Sequence, residues 1–200
     1  MAERDPRRQR QPANHTGHAT ERPRTRLLEF LVRRRVTLGF VAGSAALVLA
    51  QPTWAAWRAG LLVAIVGECI RMWAAGHLEK GLEVTRSGPY RWMRHPLYLG
   101  SAIIALGVVI ASRSPVVGLL SALYIGATLP AAIRAEEAFL RRAFGDTYTR
   151  YRRSASSSSL TQQQARSFSI ERAIRNREYR AVLGLAGGFA LLALKIVVSI

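Results

Sequence analysis

Val36 to Trp57 is a run of 22 residues without Asp, Glu, Lys or Arg, and nothing else in the chain limits its fold as strongly. A helix needs about 20 mainly apolar residues to cross the hydrocarbon core of a bilayer. Ser114–Ile133 offers 20 uncharged residues, Leu97–Ser112 offers 16, and Ala181–Leu194 offers 14 before Lys195. Ala59–Gly76 is interrupted only by Glu68 and Arg71. A core helix of a soluble domain keeps a polar face at helical spacing, and Val36–Ala50 has none. Five such stretches in 200 residues leave little for a soluble domain. The expected fold is all-α: a polytopic membrane bundle of about five transmembrane helices. Pro96 can open the helix over Leu97–Ser112, and Arg113 can snorkel to the interface at its end. Ala181–Ile200 reads as a fifth span, with an interfacial helix as the alternative. The hydrophobic half of the composition excludes a wholly disordered chain. The single cysteine excludes a disulfide framework.

The charge is one-sided. Lys and Arg number 29 against 12 Asp and Glu, a formal +17. Ten Arg lie in residues 1–35 and eleven between Arg134 and Arg180. Lys80, Arg86, Arg91 and Arg94 lie between the second and third spans, whereas the opposite side offers only Arg58 and Arg113. This alternation places the N-terminus and both long loops in the cytoplasm, against anionic headgroups, and the C-terminus outside. The chain is expected to be a multi-pass protein of a bacterial inner membrane. A nucleic-acid role would need a basic face with stacking aromatics on a soluble domain, and the pattern excludes it. Residues 1–35 read as a disordered Arg-rich tail, 36–153 as the membrane core, 154–169 as a Ser/Gln linker, and 170–200 as a charged helix followed by the fifth span. Arg33-Arg34-Arg35 before an apolar run resembles an export signal, but four further apolar stretches favour an anchor over a cleaved peptide.

Two cytoplasmic segments carry the chemistry. The first is Ser87-Gly-Pro-Tyr-Arg-Trp-Met-Arg-His-Pro-Leu-Tyr-Leu-Gly100. Gly88-Pro89 signals a turn, and Pro96 at a first helical position makes His95 the N-cap. Arg94, His95 and the positive helix end then form an anion site. Tyr90 and Tyr98 add flat apolar faces with polar tips. Gly100 allows close approach of a ligand or another helix. The bland alternative is a juxtamembrane belt of Arg, Trp and Tyr. The second segment, Arg134 to Tyr151, continues the fourth span and holds Glu136-Glu137 at the helix exit. Neighbouring carboxylates on a helix diverge by about 100°, so one of the two is expected to face the interior. Pairing with Arg134, Arg141 or Arg94 is their structural alternative. Leu140, Phe144, Tyr148 and Tyr151 form a stripe suited to a membrane surface. Glu68 and Arg71 are spaced to pair within the second span. Cys69 suits packing, His77 suits the interface, and no cluster has metal-ligand spacing.

In this order, the two segments resemble the isoprenylcysteine carboxyl methyltransferase and phospholipid methyltransferase group. The matching residues are Ser87-Gly88-Pro89-Tyr90, Arg94-His95-Pro96-Leu97-Tyr98-Leu99-Gly100, Glu136-Glu137, and Phe144-Gly145 with Tyr148 and Tyr151. Arg71 and Trp73 are similar to the group as well. The resemblance implies an enzyme that transfers a methyl group from S-adenosylmethionine. By the same resemblance Val84, Thr85, Tyr90, His95, Pro96, Leu97, Tyr98 and Gly100 would contact the cofactor, with Glu136 on its α-amino group. Arg94 and Glu137 would serve catalysis, and Arg134 would steer the substrate. The implied acceptor is a lipid or a lipid-modified molecule such as an isoprenylcysteine-like carboxylate. It would need no base, whereas an amine would have to lose a proton. The Arg-rich tail and everything after the second Tyr depart from the group's pattern. Two alternatives compete: a membrane sterol-type reductase using NADPH, which usually has Asn after the Pro where this chain has Leu97, and a non-enzymatic membrane scaffold.

Overall fold

The computed structural model describes residues 23–79, 85, 87–154 and 167–198. Among them all regular structure is helical: α1 (Pro23–Leu49), α2 (Trp54–Ala75), a 3-10 turn (Gly88–Arg91), α3 (Pro96–Ser112), α4 (Pro115–Ser154), α5 (Ile170–Arg175) and α6 (Tyr179–Val198). Two helices, Pro115–Ala143 and Tyr179–Val198, are long and apolar enough to cross a membrane, and Val36–Leu49 and Pro96–Ser112 are shorter apolar helices. Phe40, Val48, Leu62, Val66, Leu119, Leu123, Leu183 and Val198 all point outward. An outward-facing shell of large aliphatic side chains is what a lipid-solvated bundle requires and a water-solvated one avoids.

The first helix corrects the expected tail. It begins at Pro23 and runs through Arg33–Arg35, so residues 23–35 are helical rather than disordered. Pro23 is pre-set for a first helical position, and the helix it opens runs without a break into Val36–Leu49. Residues 1–22 and most of the expected linker lie outside the described residues. At its other end, the segment expected to be a single charged helix from Ile170 is broken after Arg175, and α6 starts at Tyr179.

α2 and α3 pack through a seam of small residues. A Cβ at Gly60 would lie 2.4 Å from the Gly107 carbonyl oxygen, and one at Gly67 would lie 2.7 Å from the Gly100 carbonyl oxygen. Ala64, between the two pairs, and Ala111, one turn past Gly107 and against Gly60, are fully buried. With no hydrophobic drive between helices in lipid, backbone-to-backbone packing of this kind holds helices together. α1 packs on α4, and α6 lies against both α1 and α2. The Trp57 indole N–H donates to the Phe189 carbonyl at 2.8 Å, fixing α6 on α2.

One end of the bundle is tied by backbone carbonyls. The Gln51 N–H donates to the Ser112 carbonyl at 2.8 Å. Lys195 Nζ donates to the carbonyls of Leu47 and Val48 at 2.9 and 2.7 Å, the last turn of α1. A cation there satisfies acceptors that have no intrahelical partner and complements the helix dipole. The other end, where α2 finishes, α3 starts and α4 leaves the bundle, holds the polar side chains described next. α4 bends sharply at Gly145, whose φ of 45° and ψ of −119° are not helical.

Candidate functional site

The turn Ser87–Arg94 folds against the end of α2. Gly88 takes φ +56° and lies on the His77 ring, where a Cβ would fall 2.6 Å from Nδ1. Only glycine meets both conditions. His77 is buried, with Nδ1 3.0 Å from the Trp73 carbonyl, and is therefore a packed residue rather than an interfacial one. This turn delivers His95 as the N-cap of α3, as Pro96 requires, without a side-chain cap bond. Pro96 has no N–H, and the Tyr98 and Leu99 N–H groups both donate to the His95 carbonyl at 3.1 and 3.2 Å. Those two first-turn N–H groups are therefore already engaged within the chain and not directed at a ligand.

Across from it, α4 brings Glu136 and Glu137. Glu136 Oε2 lies 3.8 Å from His95 Nδ1, and Glu137 Oε1 lies 3.5 Å from His95 Nε2. Glu137 also faces Arg94 Nη1 at 3.7 Å and Arg141 Nη2 at 3.3 Å. The two carboxylates are unequally placed: the Glu136 side chain is 42% exposed and the Glu137 side chain 20%. Glu136 lines a cleft of about 620 Å³, and Glu137 is the hub of the ion pairs beneath it. Of the two carboxylates, only Glu136 lines the cleft.

The cleft has an apolar floor from α4, including Ile125, Leu129 and Phe139, and a wall formed by Tyr90, His95, Pro96, Leu97 and Tyr98. Thr85 and Arg94 stand at its edge. Thr85 is buried, and its Oγ1 accepts from the Glu79 N–H at 3.2 Å. The Tyr98 and His95 rings are 5.7 Å apart at 46°. Val84 lies outside the described residues. Two candidates are placed away from the cleft. Gly100 is buried in the α2–α3 seam, where a Cβ would fall 2.6 Å from both the Gly67 carbonyl oxygen and Arg71 Cγ. It serves close helix approach, not ligand contact. Arg134 is exposed on α4. Among the described residues no three His, Cys, Asp or Glu side chains gather to hold a metal ion.

Sequence reasoning missed the third wall. Asn176 and Glu178, from the turn between α5 and α6, line the same cleft as Arg71 and Ser101. Arg71 and Glu68 do approach each other, at 3.8 Å, but the nearer partner of Arg71 is Glu178, whose Oε1 accepts from Nε at 2.7 Å. Arg71 Nη1 also donates to Ser101 Oγ. A signal was present: Glu178 lies three residues before the last apolar run, which begins at Ala181.

The description of the family model that matches residues 57–147 is "phospholipid methyltransferase". The chain is 32% identical over 117 residues to the protein-S-isoprenylcysteine O-methyltransferase of Rattus norvegicus, covering 52% of this chain and 41% of that protein. It is 34% identical over 116 residues to protein-S-isoprenylcysteine O-methyltransferase A of Arabidopsis thaliana, covering 52% and 59%. It is 37% identical over 87 residues to the cobalt-zinc-cadmium resistance protein CzcN of Cupriavidus metallidurans, covering 42% and 39%. The chain thus spans less than half the length of the rat relative. No solved structure matches it significantly. The start of α3 and the Glu136–Glu137 exit of α4 both fall inside the matched segment, over which the chain is similar to the phospholipid methyltransferase family.

Proposed function

We propose that the chain transfers a methyl group from S-adenosylmethionine to a lipid or lipid-modified acceptor at the cytoplasmic surface of a membrane. One observation carries this reading: the Arg94–His95 start of α3 and the Glu136–Glu137 exit of α4 meet, within 3.8 Å, at the wall of a roughly 620 Å³ cleft. That volume is within the range of about 300–1,000 Å³ typical of small-molecule sites. The donor set suits a zwitterionic nucleotide. His95 stands on the cleft wall with its two ring nitrogens 3.8 and 3.5 Å from the Glu136 and Glu137 carboxylates. Arg94, His95 and the positive end of α3 would take a carboxylate, Glu136 the neighbouring ammonium, and Tyr90, Pro96, Leu97 and Tyr98 the flat adenosine.

When bound, S-adenosylmethionine supplies a methyl group on a sulfonium that is already a good leaving group, so alignment is the main task left to the protein. Glu137 positions Arg94 and His95 by holding both from below. The Phe139, Leu129 and Ile125 side of α4 keeps water from the transfer. Arg71 and Ser101 close the inner end of the cleft. Five crossings by α1, α2, α3, α4 and α6, alternating in direction, would put this end of the bundle on the arginine-rich side, which the positive-inside rule makes cytoplasmic. An acceptor with a lipid tail would then reach the cleft from the bilayer.

The test is direct. Membranes containing the chain are incubated with methyl-labelled S-adenosylmethionine and a total lipid extract, and the products are separated. A labelled, chloroform-soluble product that depends on the chain is expected. Label confined to water-soluble material, in all lipid and prenyl-acceptor mixtures tried, would contradict the reading.

A further inference from the structure

Arg71, Ser101 and Glu178 line the cleft together, and Glu68 approaches Arg71 from outside that lining. Arg71 donates through Nε to Glu178 at 2.7 Å and through Nη1 to Ser101, and Glu68 stands 3.8 Å away. The Glu178 side chain is only 7% exposed. It is also held rigidly. Its own N–H donates to the Ala173 carbonyl at 3.1 Å and the Arg177 N–H to the Ile174 carbonyl at 2.8 Å, with Arg177 at φ 62°. This is the paired bond pattern of a Schellman helix end. Asn176 Nδ2 donates to the carbonyls of Ala75 and Leu78, both at 2.9 Å, and Arg172 pairs with Glu79 at 2.8 Å. The turn is therefore fastened to the end of α2, and Glu178 stays on Arg71.

We infer that Glu178 determines the charge class of the acceptor and makes the site select an amine head group over a carboxylate. This deepens the methyl-transfer reading above and rests on it. A carboxylate brought to Arg71 would meet a guanidinium already occupied by Glu178, with Glu68 behind it. Like charges brought to that range repel. An ammonium or amine meets the opposite field and can share the Glu178 carboxylate. The outer cations do not reverse this balance, because Arg94 and Arg141 both face Glu137. Glu178 lies outside residues 57–147, the segment matched by the family model.

Two amphiphiles with one tail and opposite charge test it: S-farnesylcysteamine, an amine, and N-acetyl-S-farnesylcysteine, a carboxylate. The full chain in detergent is saturated with S-adenosylhomocysteine and titrated with each. The amine is expected to bind about tenfold more tightly, Glu178→Gln to erase the difference, and Glu178→Asp to keep it, as a like-charge effect requires. Tighter binding of the carboxylate, binding of neither amphiphile, or an unchanged ratio in Glu178→Gln would overturn the proposal. The parent's own ratio decides the question if the glutamine variant does not fold. S-adenosylhomocysteine binding without discrimination between the amphiphiles would overturn only the role of Glu178. Absence of S-adenosylhomocysteine binding would overturn the methyl-transfer reading with it.

Discussion

Gly107→Leu is expected to unfold the α2–α3 pair and abolish nucleotide binding together. A Cβ at position 107 would lie 2.6 Å from the Gly60 carbonyl oxygen and 2.8 Å from both Cβ and N of Ala64. Two of those three atoms are backbone, so no rotamer change relieves the clash and the helices must separate. Overpacking a well-packed interface costs about 1–3 kcal/mol, and a leucine against backbone belongs at or beyond the top of that range. The damage reaches the site because the same two helices carry Arg71 at the end of one and His95 at the start of the other. Gly187→Leu is the control, since nothing lies within 4 Å of a Cβ there. Its effect should stay within about 0.5 kcal/mol. Thermal unfolding in detergent separates the two variants. A Gly107→Leu protein that melts with the parent would show that the seam is not the contact that holds the bundle.

Glu136→Ala and His95→Ala are expected to act in the opposite way, on binding and not on folding. Glu136 lies on the open side of the cleft, with its nearest recorded partner 3.8 Å away, so its removal leaves no buried charge unpaired. His95 Nε2 has no hydrogen-bond partner to lose. A hydrogen bond to a charged group contributes about 1.5–3 kcal/mol, which corresponds to roughly 10- to 150-fold in affinity. Each variant should therefore weaken S-adenosylhomocysteine binding by one to two orders of magnitude while its own melting temperature stays near that of the parent. Titration calorimetry gives the affinity and the unliganded melt gives the stability. Parent-like binding by both variants would remove these residues from the site.

The helices were legible because long uncharged runs, each bounded by charged or turn-forming residues, fold as helices. The sequence disclosed the two ends of the clasp because Pro96 fixes where α3 begins, and because Glu136–Glu137 follow the fourth apolar run without a break. Three features were not legible. The small-residue seam requires knowing which faces of α2 and α3 meet, and Gly60, Gly67, Gly100 and Gly107 are only four of 16 glycines until that register is known. The different places of Glu136 and Glu137 depend on the rotation of α4 about its axis, which spacing alone does not set. The Arg71–Glu178 pair joins residues 107 positions apart. Its partner lies beyond a Ser/Gln-rich stretch, where composition suggested an appendage and not a wall of the site. Arg71 and Glu68, three residues apart, offered a local pair that concealed the closer distant one.

The central claim is that the ends of α3 and α4 together hold an adenosyl sulfonium nucleotide, and ligand-induced thermal stabilisation of the full chain in detergent tests it most directly. At about 100 times its dissociation constant, S-adenosylhomocysteine should add about 2.7 kcal/mol of stability, with NADPH at equal concentration adding nothing. A shift with NADPH and none with S-adenosylhomocysteine would contradict the account and point to a reductase built on the same clasp.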